Sequence, residues 1–398
     1  MRSNREGGPL EILFAAERPA DVPGGAELFA EELLEFLAER HRVRAVWHES
    51  EPSPPDSYWR AKRGARVAAR LAVQRALSSR RADVVLTQLH TAPGATAAAR
   101  EAGVPVVQLL PSYEALCKYA FLPGSECEPA SRCARCPAAR ALSPRERSEH
   151  RRSCLEHERA LVAARSLVAP SAFVAETFRS WCGRRPHTVP SVAGRLEGVR
   201  ARRDGPIVLA AARWQPAKGV GLLESIVRRA PRRVAIAGAS LPEALRARLA
   251  RLGGVDLVPY RPIDQLLDGS GVLLVPSQWP EPFGRIAFEG LAAGVPTLAS
   301  PTGGLPELVP RPQLVGDFQD PEAWIEAIDG LDSGQRWEDA RRAGLQAAER
   351  VLSTAPLARV EEILAEASDQ RAAGASTWGD GTPRPVIASS SSSTRSSP

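Results

Sequence analysis

The chain has 398 residues, a length for which two domains is the natural division, and 43% of it is hydrophobic, enough for real cores. Its 52 basic and 46 acidic residues leave a net charge of +6, which is modest for the size and, with no aromatic–basic RNA motif, argues against nucleic acid as the partner. No run of about 18 uncharged apolar residues is present, so no transmembrane helix is expected. The polar start Met1–Gly8 lacks a signal-peptide core, so the expected location is cytoplasmic. Lysine stands only at Lys62, Lys118 and Lys218. Arginine is the default cation, and a lysine draws notice as a compact charge.

In chain order, Leu10–Ala16 reads as a strand. Gly24 and Gly25 follow, then a helix from Ala26 with Leu28, Phe29, Leu33, Leu34 and Leu37 on its apolar face. Strand, Gly–Gly turn and helix N-terminus make either an anion cradle or a plain tight turn. Arg42–Trp47 is a second strand. Trp59–Leu77 is a basic helix carrying Arg60, Lys62, Arg63, Arg66, Arg70 and Arg75. It reads as packed on one face and solvated on the other, with a peripheral contact to anionic lipid headgroups as the functional alternative. Asp83–Thr87 and Val104–Leu110 are further strands, with a helix around Ala95–Ala102 between them. His90 lies just past the first of these strands, on the side where a cleft would open, and is a candidate catalytic residue; a surface loop histidine is the alternative.

The segment 117–143 is polar and rich in proline. Within it Cys133-Ala134-Arg135-Cys136 is a Cys-x2-Cys turn able to hold one metal ion through both thiolates, and Cys117 and Cys127 would complete a tetrahedral zinc site. A metal staple suits a segment with little core of its own. Free thiols, disulfides and an iron–sulfur cluster are the alternatives, and Cys154 is a substitute ligand. Glu146–Ala164 reads as a charged helix and Ser166–Pro170 as a strand. Ser171 caps a helix through Trp181, His187–Pro190 is an exit strand, and Ser191–Gly205 is a linker.

Beyond it, Ile207–Ala211 is a strand that feeds the loop Arg213-Trp214-Gln215-Pro216-Ala217-Lys218-Gly219 and a helix over Val220–Arg229. Arg213 and Lys218, on a loop at a strand end, can close over a pyrophosphate. Val234–Ala237 and Val255–Val258 are strands. Val272–Val275 is a buried parallel strand that stops at Pro276. A Pro-broken loop with Glu281 follows, and Gly284 opens a helix bearing Ile286, Phe288, Glu289, Leu291 and Ala292. Loops at the carboxyl ends of strands are where open α/β sheets bind ligands. Free N–H groups around Phe283, Gly284 and Arg285 can take a phosphate, while Glu281 and Glu289 suit the hydroxyl donors of sugars and riboses. Asp320–Gly330 is a helix, Gln335–Ala367 a longer helical region, and the Ser-rich stretch from Gln370 on should be disordered.

Glu281 and Glu289, with seven residues between them that include Pro282-Phe283-Gly284, resemble the Glu-x7-Glu motif of family 4 glycosyltransferases. Gly294-Val295-Pro296-Thr297-Leu298-Ala299-Ser300 and Gly303-Gly304-Leu305-Pro306-Glu307-Leu308-Val309 continue the likeness. These are retaining enzymes of the GT-B fold that use nucleotide sugars, and a subset carries a similar Cys cluster. The resemblance runs roughly from Ile12 to Ala367 and is stronger in the second half. It implies an α/β chain of two Rossmann-like parallel-sheet domains facing a central cleft. The first, 1–195, would lie on the acceptor side and carry the Cys-rich insertion. The second, 196–334, would bind the nucleotide sugar, helices in 335–369 would pack back on the first domain, and 370–398 would be a tail.

By the same resemblance Arg213 and Lys218 face the leaving diphosphate, with Gly24 and Gly25 across the cleft. Glu281 holds the donor sugar, Glu289 the ribose, and Tyr260 and Arg261 lie near the base. Transfer would be front-face and need no cofactor, with a nucleoside-diphosphate sugar as donor and a glycan, lipid-linked or secondary-metabolite acceptor. One departure stands out: Pro111-Ser112-Tyr113 replaces the His-Asp-Tyr that relatives tend to carry. A non-catalytic glycosyltransferase-like scaffold protein is the alternative function.

Overall fold

The computed structural model describes residues 8–18, 23–48, 58–117, 142–192, 196, 198–239, 241–259 and 261–373. Cys127, Cys133, Cys136, Tyr260 and the tail from 374 lie outside the described residues.

The first half holds β1 (Glu11–Glu17), α1 (Gly25–Ala38), β2 (Arg42–His48), α2 (Tyr58–Ser79), β3 (Val84–Gln88), α3 (Ala92–Glu101) and β4 (Val106–Leu109). After the insertion come α4 (Pro144–Ala163), β5 (Ser166–Ala169), α5 (Ala172–Cys182) and β6 (His187–Thr188). The second half runs β7 (Ile207–Arg213), α6 (Leu223–Arg229), β8 (Val234–Ala239), α7 (Glu243–Leu249), β9 (Val255–Val258), α8 (Ile263–Leu267), β10 (Val272–Val275), α9 (Arg285–Ala292) and β11 (Thr297–Ala299). It ends with α10 (Leu305–Leu308), α11 (Pro321–Asp329), α12 (Gly334–Leu352) and α13 (Pro356–Ala373).

Every strand pair in both sheets is parallel. The strand orders are β2-β1-β3-β4-β5-β6 and β11-β10-β7-β8-β9. The α/β expectation of two Rossmann-like sheets facing a cleft, the GT-B architecture, is therefore met. Unbroken burial of Ile12–Ala16, Val84–Gln88 and Val272–Val275 is what helices on both faces of a parallel sheet require. One face of the first sheet is covered by α1 and α13, through Phe29, Leu33, Leu37, Val360, Ile363 and Leu364. The other is covered by α3, α4 and α5, with Val73 of α2 reaching in.

Strand order also fixes where ligands can enter. In the second sheet the chain builds outward from β7 through β8 to β9, then crosses back to place β10 on the other side of β7. The loops after β7 and β10 consequently part in opposite directions and leave a crevice at their carboxyl ends. The first sheet has the same switch between β1 and β3. These are the loops that carry Lys218, Glu281, Gly24–Gly25 and His90.

The long helical region expected from Gln335 is two helices. The chain turns at Ala355, φ +47°, just before Pro356. Only α13 crosses to the first domain. α12 stays on the second, where Trp337 Nε1 donates to Gly271 O (2.8 Å) and Gly344 packs on Leu291. α13 is thus the brace, and Leu364, fully buried on the first sheet, is its test. Leu364→Ala should lower unfolding free energy by about 2–5 kcal/mol in denaturant titration; an unchanged midpoint would mean that α13 does not brace the sheet.

Candidate active site

The loop after β10 is pinned before it reaches α9. Gly304 N donates to Glu281 O (2.7 Å), and a Cβ on Gly303, φ +61°, would lie 2.2 Å from the same oxygen. Gly284 follows at φ +90° as the N-cap of α9, and a Cβ there would lie 2.4 Å from Leu305 Cδ2. A residue with a side chain fits neither the backbone region nor the space. The left-handed turn aims the first amides of α9, which have no intrahelical partner, at the crevice between β7 and β10.

Around these amides lies a cavity of about 630 Å³, within the size range of small-molecule sites. Gly24, Gly25, Lys218, Arg261, Glu281, Phe283, Gly284, Arg285 and Glu289 line it. So do Pro111 and Ser112, Gln215 and Asp264. Residues from both domains, distant in sequence, are brought together as the loop positions require. Arg213 is the last residue of β7, and its side chain lies outside the described part of the structure.

Two of the cations lining the cavity, Lys218 and Arg285, are paired with carboxylates. Lys218 Nζ donates to Glu281 Oε1 at 2.5 Å, and Ser277 Oγ donates to the same oxygen at 2.5 Å. Lys218 also lies 5.1 Å from the centre of the Trp279 ring. Glu281 is 5% exposed, while the Lys218 side chain is partly open to solvent. Arg285 reaches in two directions. Its Nε donates to Glu289 Oε1 (2.9 Å), one turn along α9, and its Nη1 to Glu32 Oε2 (2.8 Å) on α1 of the other domain. Burial works against the Arg285 cation, but the bonds to Glu32 and Glu289 more than offset it and raise its pKa. Burial raises the Glu289 carboxyl, Arg285 pulls it back and Glu32 pushes it further up.

Three further contacts close the cleft. Ser171 Oγ donates to Pro282 O (2.6 Å). Ala172 N and Phe173 N, the first amides of α5, donate to the Glu307 carboxylate at 2.8 and 2.7 Å. A carboxylate on a helix N-terminus is favoured by the exposed N–H groups and the helix dipole; here the carboxylate comes from the other domain. Tyr113, fully buried, meets Trp279 edge-on at 5.9 Å. Burial raises the Tyr113 phenol, and Glu281 and Glu307 add to it.

His90 is not among the residues that line the cavity. The chain turns at Leu89, φ +53°, and His90 pairs with Glu114 beside His157. Lys62 lies 3.9 Å from both Glu114 and Glu17, so a buried polar cluster sits beside the cavity, behind the carboxyl ends of β1, β3 and β4. Of the four cysteines expected to hold zinc, only Cys117 is described. It is half-buried, and no cluster of three or more His, Cys, Asp or Glu side chains fit to hold a metal ion occurs among the described residues. No described helix is long and apolar enough to cross a membrane.

Sequence patterns assign no role to Glu32, Glu307 or Ser277. Glu32 and Arg285 are 253 positions apart, and the partner of a surface-type Glu on α1 has no local signature. Ser171 is visible as a cap, yet its bond across the cleft is not.

Residues 197–350 match the family model described as glycosyl transferases group 1. Spore coat protein SA of Bacillus subtilis is 32% identical over 113 residues, 28% of this chain and 29% of that protein. D-inositol 3-phosphate glycosyltransferase of Xylanimonas cellulosilytica is 34% identical over 184 residues, 42% of this chain and 43% of that protein. The chain thus spans less than half the length of these curated relatives. Among solved structures, sucrose-phosphate synthase from Thermosynechococcus elongatus superposes with a TM-score of 0.68 at 19% identity, covering 92% of this chain and all of that one. Anabaena HepE in complex with UDP and glucose gives 0.66 at 17%, covering 90% and 100%. The chain has the fold of these GT-B proteins, and its second half is related to the group 1 glycosyl transferases.

Glu114 supplies a test of the polar cluster. Burial pushes its carboxyl up from 4.5 to about 8, with Lys62 opposing and Glu17 and Glu27 adding. Such a group is protonated in the fold and ionised in the unfolded chain between those two values, so its burial costs stability increasingly as pH rises from 4.5 to about 8. Relative to the parent, Glu114→Gln should gain stability between pH 5 and pH 8 in paired denaturant titrations. A difference that stays the same at both pH values would contradict the assignment.

Proposed function

We propose that the chain is a retaining glycosyltransferase that moves a sugar from a nucleoside-diphosphate sugar to a glycan, lipid-linked or secondary-metabolite acceptor. The observation that carries this reading is the meeting of Lys218, Glu281, the α9 amides at Gly284 and Arg285, and Glu289 in one cavity at a topological switch point. Lys218 and the α9 amides would hold the leaving diphosphate where negative charge develops, with Arg213 assigned there from its place at the end of β7. Glu281 uses Oε1 for Lys218 and Ser277 and keeps Oε2 for a sugar hydroxyl. Glu289 would accept from the ribose hydroxyls, Gly24 and Gly25 would face the diphosphate from the first domain, and Tyr260 and Arg261 would flank the base. Transfer would be front-face, the acceptor proton passing to the departing phosphate, so no pair of catalytic carboxylates is needed and no cofactor takes part. His90, in its pair with Glu114, falls to the acceptor side.

Cys117, Cys127, Cys133 and Cys136 are assigned to a structural zinc on their spacing. We place the protein in the cytoplasm, with α2 in peripheral contact with the membrane. The second reading, a scaffold without catalysis, is favoured by Pro111, which lines the cavity where relatives tend to carry His.

A hydrolysis screen over nucleotide sugars, followed by calorimetry on the best donor and its nucleoside diphosphate, separates the two. Glu289→Ala should weaken nucleoside-diphosphate binding by roughly 1.5–3 kcal/mol, as a hydrogen bond to a charged group is lost. Equal affinity of variant and parent would remove Glu289 from the site, and binding without any turnover would favour the scaffold. Elemental analysis of protein purified without added metal should find about one zinc per chain; metal-free protein with an unchanged Tm would exclude the structural zinc.

A further inference from the structure

The outer face of the first domain carries a surface that the cleft does not use. No residue of Ala92–Ala99 in α3 is exposed. α2 and α4 pack over it and against each other. The approach of α2 to α3 is close enough that a Cβ on Gly94 would lie 2.1 Å from Arg66 O. α2 and α4 are therefore neighbours in one outermost layer.

What this layer shows to solvent is one-sided. Four of the five large apolar side chains exposed among the described residues lie on it: Val67 (55%), Leu71 (47%), Leu155 (39%) and Val162 (42%). Val67 and Leu71 are one turn apart on α2, and Leu155 and Val162 are two turns apart on α4, so each pair runs along one side of its helix. Most of the exposed charges between and beside them are arginines; the exception is Glu101, half-exposed at the end of α3 and paired with Arg70. Arg75, Arg151, Arg152 and Arg159 are exposed and form no ion pair among the described residues. The other carboxylates are elsewhere. α2 has no acidic residue. On α4, Glu146 closes the N-terminal capping box on Ser143, Glu149 pairs with Arg63, Glu156 pairs with Arg66 at 2.6 Å, and Glu158 is buried. The seam between the helices is neutralised, while the outer face is left cationic and aliphatic.

A soluble polyanion would satisfy the arginines and leave the four aliphatic side chains in water. A bilayer with anionic headgroups takes both, the guanidinium groups among the phosphates and the aliphatic groups at the acyl boundary. The face belongs to the same domain as Gly24 and Gly25 of the cleft, and Lys62 in the first turns of α2 lies 3.9 Å from Glu17 at the carboxyl end of β1. We propose that the α2–α4 face docks on an anionic bilayer with Val67, Leu71, Leu155 and Val162 entering the headgroup region, and that, resting on the transferase reading, it delivers the cleft to acceptors carried on lipid.

Flotation of the full chain with vesicles tests this. The protein should float with vesicles of phosphatidylcholine containing phosphatidylglycerol and remain behind with phosphatidylcholine alone. Each arginine removed should weaken binding about fivefold, so Arg75→Glu with Arg151→Glu and Arg159→Glu should cost at least about a hundredfold. Serine at all four aliphatic positions should abolish flotation at physiological salt while leaving the calorimetric affinity for the nucleoside diphosphate unchanged. Absence of binding to the anionic vesicles, equal binding to neutral ones, or undiminished flotation of the serine variant would overturn the proposal. Retention of single-stranded RNA by the serine variant, lost in the glutamate variant, would overturn it in favour of a soluble polyanion. Should the parent float yet bind no nucleoside diphosphate, the membrane face stands and the transferase reading falls.

Discussion

The left-handed turn at Gly284 is the constraint on which the cleft depends. At φ +90°, with Leu305 filling the space a side chain would need, it turns the loop that leaves β10 into the start of α9. The turn faces the first α9 amides into the β7–β10 crevice. It also sets Arg285 at the helix start, where one guanidinium spans Glu289 on its own helix and Glu32 in the other domain. Glu289 then follows one turn on, beside the amides rather than behind them. A different backbone at this one residue would uncouple the α9 amides, the Glu289 carboxylate and the contact between domains.

The second organising feature is charge that is satisfied internally. Lys218 is held by Glu281, and Arg285 by two carboxylates. Partly buried cations are costly unless paired, so these contacts hold both side chains in place. On the proposed function they also bear on what the ligand is. A dianionic diphosphate can draw Lys218 away from Glu281 by offering stronger compensation, and the released carboxylate then turns to a hydroxyl donor. A neutral sugar alone offers Lys218 nothing in exchange. The pairing therefore favours compounds that carry phosphate and hydroxyl groups together. The domains meet through similar logic, because Glu307 supplies a carboxylate to the α5 amides, which would otherwise be open to an anion.

Much of this was legible in the chain itself. Buried strands announce themselves as unbroken apolar runs, and Val272–Val275 begins and ends where the pattern says. The Gly284–Glu289 helix start and the loop lysine among so many arginines are local features, and local features survive in sequence. Long-range pairing does not. Nothing around Glu32 marks it as the partner of Arg285, and nothing around Glu307 marks it as a cap for another domain's helix. His90 shows the limit in the other direction. Its place at the carboxyl end of a strand is legible, but the turn at Leu89 and the pairing of the ring with Glu114 are directions that sequence spacing does not carry. The helical region after Gln335 was read through Pro356, although proline there was the visible sign that a second helix begins and that only that helix returns to the first sheet.

The most direct measurement is a crystal structure of the full chain with the nucleoside diphosphate of its best donor. The account predicts the diphosphate on the amides of Gly284 and Arg285, Lys218 Nζ moved from Glu281 onto a phosphate oxygen, and the ribose hydroxyls within hydrogen-bond distance of Glu289. A nucleotide bound elsewhere, or one in the cavity with Lys218 still on Glu281 and the ribose turned away from Glu289, would contradict it.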